Sequence, residues 1–185
     1  MAVNQFNLPE NQRAERKQLI TVAEWTETVG TTETQQREVL GRRTEDSSIE
    51  YNPDTATSTD ILGINYTDIN KTQPQQDFDP YLILGGSKLG AKLNDIRKRN
   101  ALAELSQFTL YVITAYVGDS TNGYEAEKHE NCTIQYNSLG GDSNVNMPIS
   151  VYFSNDAAGL GHPQTGTVNK LSSDFVFTPD VAIGG

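Results

Sequence analysis

The chain holds one cysteine, Cys132, so no internal disulfide is open to it. It holds one tryptophan, Trp25. Positive charge is scarce: 14 Lys and Arg stand against 24 Asp and Glu, a formal net charge of −10. Gripping phosphates takes clustered Lys and Arg, so this balance argues against a nucleic-acid-binding protein. It argues equally against binding anionic membranes. No apolar run approaches the roughly 20 residues that span a bilayer, so no membrane role is expected. The first residues, MAVNQFNLPENQRAERK, lack an apolar core and a cleavage-site pattern, so they do not read as a signal peptide. The expectation is a chain that retains Met1 and begins in the cytosol. In that setting the Asn-x-Thr sequons at Asn65, Asn70 and Asn131 read as chance.

Helical periodicity is also nearly missing, and strand-like alternation takes its place. A length of 185 residues suits one domain with a proper core. Hydrophobic content of 36% is low, which fits a β-rich domain with large polar loops. Residues 1–17 read as an arm, 18–180 as the domain and 181–185 as a short tail. Gln18 to Trp25 alternates, with Leu19, Thr21, Ala23 and Trp25 on one face and Ile20, Val22 and Glu24 on the other. Gln35 to Arg43 is a weaker strand. Gln107 to Val117 is the most apolar run; Phe108, Leu110 and Val112 oppose Tyr111, Ile113 and Ala115, which predicts a central strand covered on both sides. Tyr124 to Asn137, Met147 to Ser154 and Asp174 to Thr178 follow as strands. Asn155 to Asn169 reads as a loop. The one good helix is Lys88 to Leu105, with Ser87 as N-cap, a stripe through Leu89, Leu93, Ile96, Asn100 and Ala103 with Leu102 and Leu105 beside it, and an Asp95–Arg99 pair. A single helix among strands must pack its stripe on a sheet.

The stretch from Thr44 to Pro80 stands apart. Its acids are Glu45, Asp46, Glu50, Asp54, Asp60, Asp68, Asp77 and Asp79, its one base is Lys71, and its net −7 is most of the chain's excess. Ser47 to Tyr51 and Ile61 to Tyr66 alternate as strands, and Asn52-Pro53-Asp54 and Leu62-Gly63 mark turns. Otherwise it reads as a long polar loop, too poor in apolar surface to order itself alone. Such a loop in a compact domain implies a partner, and the expected partner is another copy of this chain.

Reactive chemistry is thin. His129 and His162 have no second His at metal-ligand spacing and read as solvated or hydrogen-bonded. Cys132 alternates with Ile134 and Tyr136, as a small buried hydrophobe does. Asp77-Phe78-Asp79-Pro80 lacks the further oxygens and the Gly of a calcium loop. Gly85-Gly86-Ser87-Lys88 opens a helix but fails the spacing of a phosphate loop. Arg97-Lys98-Arg99 falls in the second half of the helix, where cations complement the dipole. No nucleophile, base and orienting group assemble, so the expectation is a non-enzyme without metal or cofactor.

Ser47 to Asp54 (SSIEYNPD), Thr57 to Gly63 (TSTDILG), Thr67 to Tyr81 (TDINKTQPQQDFDPY), Ser87-Lys88-Leu89 and the strand after the helix together resemble the major tail tube proteins of long-tailed bacteriophages, over about residues 15 to 180. The resemblance implies a mainly β fold, a β-sandwich or small barrel with one flanking α-helix and a long polar loop. It implies a structural virion protein, assembled in the host cytoplasm, whose rings of six stack into the tail tube, the conduit for DNA ejection. Its partners would be other copies of itself, the tape measure, the tail terminator and the baseplate or tip. DNA would pass through the lumen without specific binding. Walls that pass a genome cannot offer it many phosphate contacts, so some excess acid is expected to face the lumen, with Glu50, Asp119 and Glu125 as candidates. Asp54, Asp60, Asp68, Asp77 and Asp79 are the candidates for the inter-subunit loop. The alternative is a monomeric carbohydrate- or surface-binding β-sandwich of the adhesin kind, which would favour clustered exposed aromatics.

Overall fold

The structure, a computed structural model, describes residues 6–154 and 162–180. The expected tail, residues 1–5 of the arm and the first part of the 155–169 loop, residues 155–161, lie outside the described residues. The fold is mainly β, as expected, with one α-helix and a large antiparallel sheet of the β-sandwich or small-barrel kind. Its strands are β1 (Leu19–Val29), β2 (Thr32–Val39), β3 (Ile49–Glu50), β4 (Asp54–Thr59), β5 (Asn65–Lys71), β6 (Gln75–Phe78), β7 (Phe108–Asp119), β8 (Gly123–Tyr136), β9 (Ile149–Tyr152), β10 (Gln164–Val168) and β11 (Phe177–Pro179). Nine of them form one antiparallel sheet. Its main path runs β2-β1-β7-β8-β9-β6-β3, with β10 and β11 branching from β8.

The branch is made inside β8. Tyr124 to Lys128 pair with β10, and Thr133 to Tyr136 pair with β9. Between them Asn131 takes a left-handed φ of 55°, which Asn tolerates better than most residues. The register with β7 shifts nearby, between Phe108 and Leu110. One long strand thereby serves two sets of neighbours.

Strand alternation then builds two cores. Leu19, Ala23 and Trp25 of β1, with Phe108, Leu110 and Val112 of β7, face the larger one, where Cys132, Ile134, Ile149 and Val151 join them. Val22, Tyr111 and Ile113 face the smaller, closed by Ala126, Val168 and Phe175. These are the face assignments read from the alternation. Strand β7 is central, hydrogen-bonded to β1 on one side and β8 on the other.

The smaller core carries a buried charge. Glu24 receives the Arg37 guanidinium, which also donates to the Phe175 carbonyl at 2.6 Å and lies over the Phe175 ring. The Tyr111 phenol points at the same carboxylate, and burial first, then that charge, push it up to about 12. A buried charge is tolerable only when paired in this way.

Helix α1 (Lys88–Arg99) buries Leu89, Leu93 and Ile96 completely in the larger core. The Ser87 hydroxyl accepts from the Gly90 amide at 3.0 Å, the expected cap. The expected end at Leu105 is corrected. Asn100 turns left-handed at φ 53° and its N–H returns to the helix carbonyls, which stops the helix at Arg99. A short 3-10 turn over Leu102–Ser106 follows. The Asp95–Arg99 pair is present, and Glu104 joins it.

Two expectations about loops are also corrected. The stretch after Asn155 contains β10, which pairs with β8 and β11. The long polar insertion is not one loop but two structures. Its ends, β3 and β6, belong to the main sheet, where Phe78 and Gln76 point inward and Thr21 donates to the Gln76 side-chain oxygen at 2.7 Å. Its middle, β4 and β5, forms a separate two-stranded sheet. The strand expected over Ile61 to Tyr66 begins at Asn65, because Asp60 draws the residues before it into a turn.

Candidate functional site

The β4–β5 hairpin is the feature without a use inside the subunit. All thirteen of its strand residues are exposed, and neither strand pairs with the main sheet. Its turn is tightly made. The Asp60 carboxylate accepts from the amides of Leu62 and Ile64 at 2.8 and 2.9 Å, and the Asp60 and Ile64 backbones close the loop at 3.0 Å. The Ile64 amide is the main cause that lowers the Asp60 carboxyl below its ordinary value. Gly63 supplies the positive φ of 79° that the turn requires. Facing hydroxyls of Thr57 and Thr67, 3.3 Å apart, cross the ladder.

The turn holds an apolar tip in water. Ile61 is 101% exposed and Leu62 78%, and Ile64, Tyr66 and Ile69 are exposed as well. Scattered exposed hydrophobics need no explanation, but a cluster on a projection marks an interaction surface. An isolated two-stranded hairpin is only marginally stable in water, so this one gains from being covered.

The candidate inter-subunit acids divide accordingly. Asp54 and Asp68 lie on the hairpin and Asp60 makes its turn. Asp77 is an outward residue of β6, and Asp79 precedes a cis peptide to Pro80, so both belong to the main domain. The candidate lumen acids are not gathered in one place. Glu50 sits on β3 at one end of the strand path, whereas Asp119 and Glu125 lie at the turn end of β7 and β8. Asp119 is engaged by its own turn, accepting from the Thr121 and Asn122 amides at 2.7 and 2.8 Å, and these hold its carboxyl below the ordinary value. Thr114 donates to the Glu125 carboxylate at 3.2 Å.

The outer edges of the sheet are a second candidate surface. Among the described residues, strand β2 pairs only with β1, and β3 only with β6. Their unpaired backbone groups suit strand addition by another chain.

Other sequence features resolve locally. The helix start at Gly85-Gly86-Ser87-Lys88 already has its anion. Glu38 of β2 accepts from the Lys88 and Leu89 amides at 2.6 and 3.0 Å, and from the Ser87 and Tyr81 hydroxyls at 2.9 and 3.1 Å. No sequence signal links Glu38 to a helix fifty residues away. Arg99 is spent on Asp95 and Glu104. Cys132 is fully buried, and burial pushes its thiol up to about 11. His129 is buried and bonded through Nδ1 to the Ser154 carbonyl at 2.9 Å. Trp25 lies in the core against Phe108. Among the described residues no group of three or more His, Cys, Asp and Glu is placed to hold a metal, and no helix is long and apolar enough to cross a membrane. No known family model matches the chain, and no curated protein matches it.

Proposed function

We propose that this chain is a structural subunit of a bacteriophage tail tube. Copies assemble through the β4–β5 hairpin and the sheet edges into rings of six that stack into a conduit for DNA ejection. The observation that carries the reading is the hairpin: a two-stranded projection with an apolar tip that its own subunit leaves in water. In a ring or stack the tip is covered by a neighbouring copy. Such contacts are heterologous: the patch that donates differs from the patch that receives. One set closes by rotation into a ring and the other stays open along the stack. A specific contact of this kind needs roughly 800 Å² from each partner, and a hairpin this long brings enough surface to contribute to one.

The tube belongs to the virion tail and forms in the host cytoplasm. Its ends meet the tape measure, tail terminator and baseplate or tip proteins. The net charge of −10 suits a channel that passes DNA without holding it. Glu50, Asp119 and Glu125 remain the proposed lumen acids, and the protein is proposed to have no catalytic role. The adhesin alternative draws less support, because the one Trp is turned into the core and not toward a sugar.

Negative-stain imaging of the purified chain at rising concentration tests the proposal. Rings or tubes are expected. Particles that stay single at every concentration, with or without the other tail proteins, exclude it.

A further inference from the structure

Beneath the hairpin lies a cleft of about 320 Å³ that none of the assembly argument uses. Tyr51, Thr72 and Pro74, from the two roots of the hairpin, form one wall; Val112, Glu127 and His129 of β7 and β8 form the other. The roots are tied where the Gln73 amide donates to the Tyr51 carbonyl at 2.8 Å.

His129 is the informative residue. Its side chain is 5% exposed. Nδ1 lies 2.9 Å from the Ser154 carbonyl, which can only accept, so Nδ1 carries the proton. In the neutral ring Nε2 is then a bare acceptor, and it is buried with no hydrogen-bond partner. Among the described residues, the Glu127 carboxylate lies 3.5 Å away, another acceptor. Two acceptors face one another, and buried polar atoms are rarely left so. Among the described residues no Lys or Arg lines the cleft, and the adjacent Lys128 is committed to Glu130 at 2.5 Å. His162 lines the outer part, with its Nδ1 near the Pro163 carbonyl. Aromatic faces complete the site: Phe153 meets the His129 ring edge-on at 5.1 Å, and Tyr51 stands at the lip. Partial burial first, and then the negative Glu127, raise the Tyr51 phenol above its ordinary value.

A carboxylate, an acceptor nitrogen and two aromatic rings around a cleft lacking Lys and Arg are the recognition chemistry of an N–H-bearing cation. We infer that this cleft binds an ammonium or guanidinium group, which donates to His129 Nε2 and Glu127 together. The group comes either from a small amine or from a Lys or Arg side chain of a second copy. The inference does not depend on the proposed tube.

Long-range proton–nitrogen spectra of the ¹⁵N-labelled full chain read the His129 Nε2 signal directly. In one arm, dilute protein is titrated with benzylammonium chloride or methylguanidinium chloride, with sodium chloride as the control. In the other, protein concentration is raised with no amine added. A saturable Nε2 shift is expected in the first arm, weakened about tenfold or more in Glu127→Gln, which removes the charge from a half-exposed side chain. A matching shift in the second arm identifies a second copy as the source; its absence there identifies a small amine. Thermal melting of Glu127→Gln checks that the variant is folded. No Nε2 shift in either arm overturns the inference. So does a shift of equal size in Glu127→Gln or with sodium chloride. An Nε2 found already protonated and indifferent to amine also overturns it, because a proton alone then satisfies the pair.

Discussion

The β4–β5 and β7–β8 hairpins are built alike at their turns and differ in everything the turns do not decide. Each is closed by an aspartate, Asp60 or Asp119, whose Oδ1 accepts from two backbone amides just ahead of it. Both carboxyls are held below the ordinary value chiefly by those amides. Yet β7 and β8 bury residues in both cores, and β4 and β5 bury none. Turn chemistry fixes where a chain reverses. Burial decides how much the resulting hairpin contributes to stability.

Substitution should expose that difference most strongly. Leu110→Ala, at a fully buried site in β7, should cost about 2–5 kcal/mol in chemical denaturation. Ile69→Ala, at a site 66% exposed in β5, should cost less than about 0.5 kcal/mol. Equal costs would mean that the hairpin is packed in the free subunit.

The next effect concerns the anchoring of α1. Glu38→Ala leaves two helix amides and two hydroxyls without their carboxylate, and should cost about 1–3 kcal/mol. Amide exchange over β4 and β5 should not change, because that hairpin shares nothing with the helix. Faster exchange there would break the separation drawn between the two regions.

The smallest effect is in acid. A carboxyl whose folded pKa is lowered contributes stability above its unfolded value, 3.8 for Asp, and loses it as pH falls through the folded one. For Asp119 that loss should register in global unfolding, and Asp119→Asn should flatten the pH dependence below about 4. For Asp60 it should register only as opening of the β4–β5 turn, with global stability unmoved. A flattening of global stability by Asp60→Asn would couple the hairpin to the core.

Much of the main domain was legible in the sequence because its periodicities are clean. Phe108 to Ile113 alternate into two cores, and Leu89, Leu93 and Ile96 form one stripe. What escaped has physical reasons. Strand β10 reads QTGTV, and its Gly166 is there because any Cβ would strike the Thr178 carbonyl at 2.4 Å. A close approach of two backbones leaves no pattern in either stretch. Gln76, 1% exposed, looks like the polar residues around it until Thr21 is seen beside it. Asn100 belongs to the helical stripe by spacing but ends the helix by conformation. In the insertion, composition predicted the lack of burial correctly for residues 54–71, but not the ladder that Asp60 and the threonines support. His129 and Glu127, two apart on one strand face, gave a spacing too common to single out.

The central claim is that the hairpin tip is an assembly element and nothing else. Sedimentation velocity at rising concentration, on wild type and on an Ile61→Asp, Leu62→Asp double variant, tests it most directly. Both chains should melt at the same temperature, because the tip touches no core. Wild type should move into ring-sized and larger species, and the variant should remain a single subunit. A variant that assembles as wild type does would contradict the account.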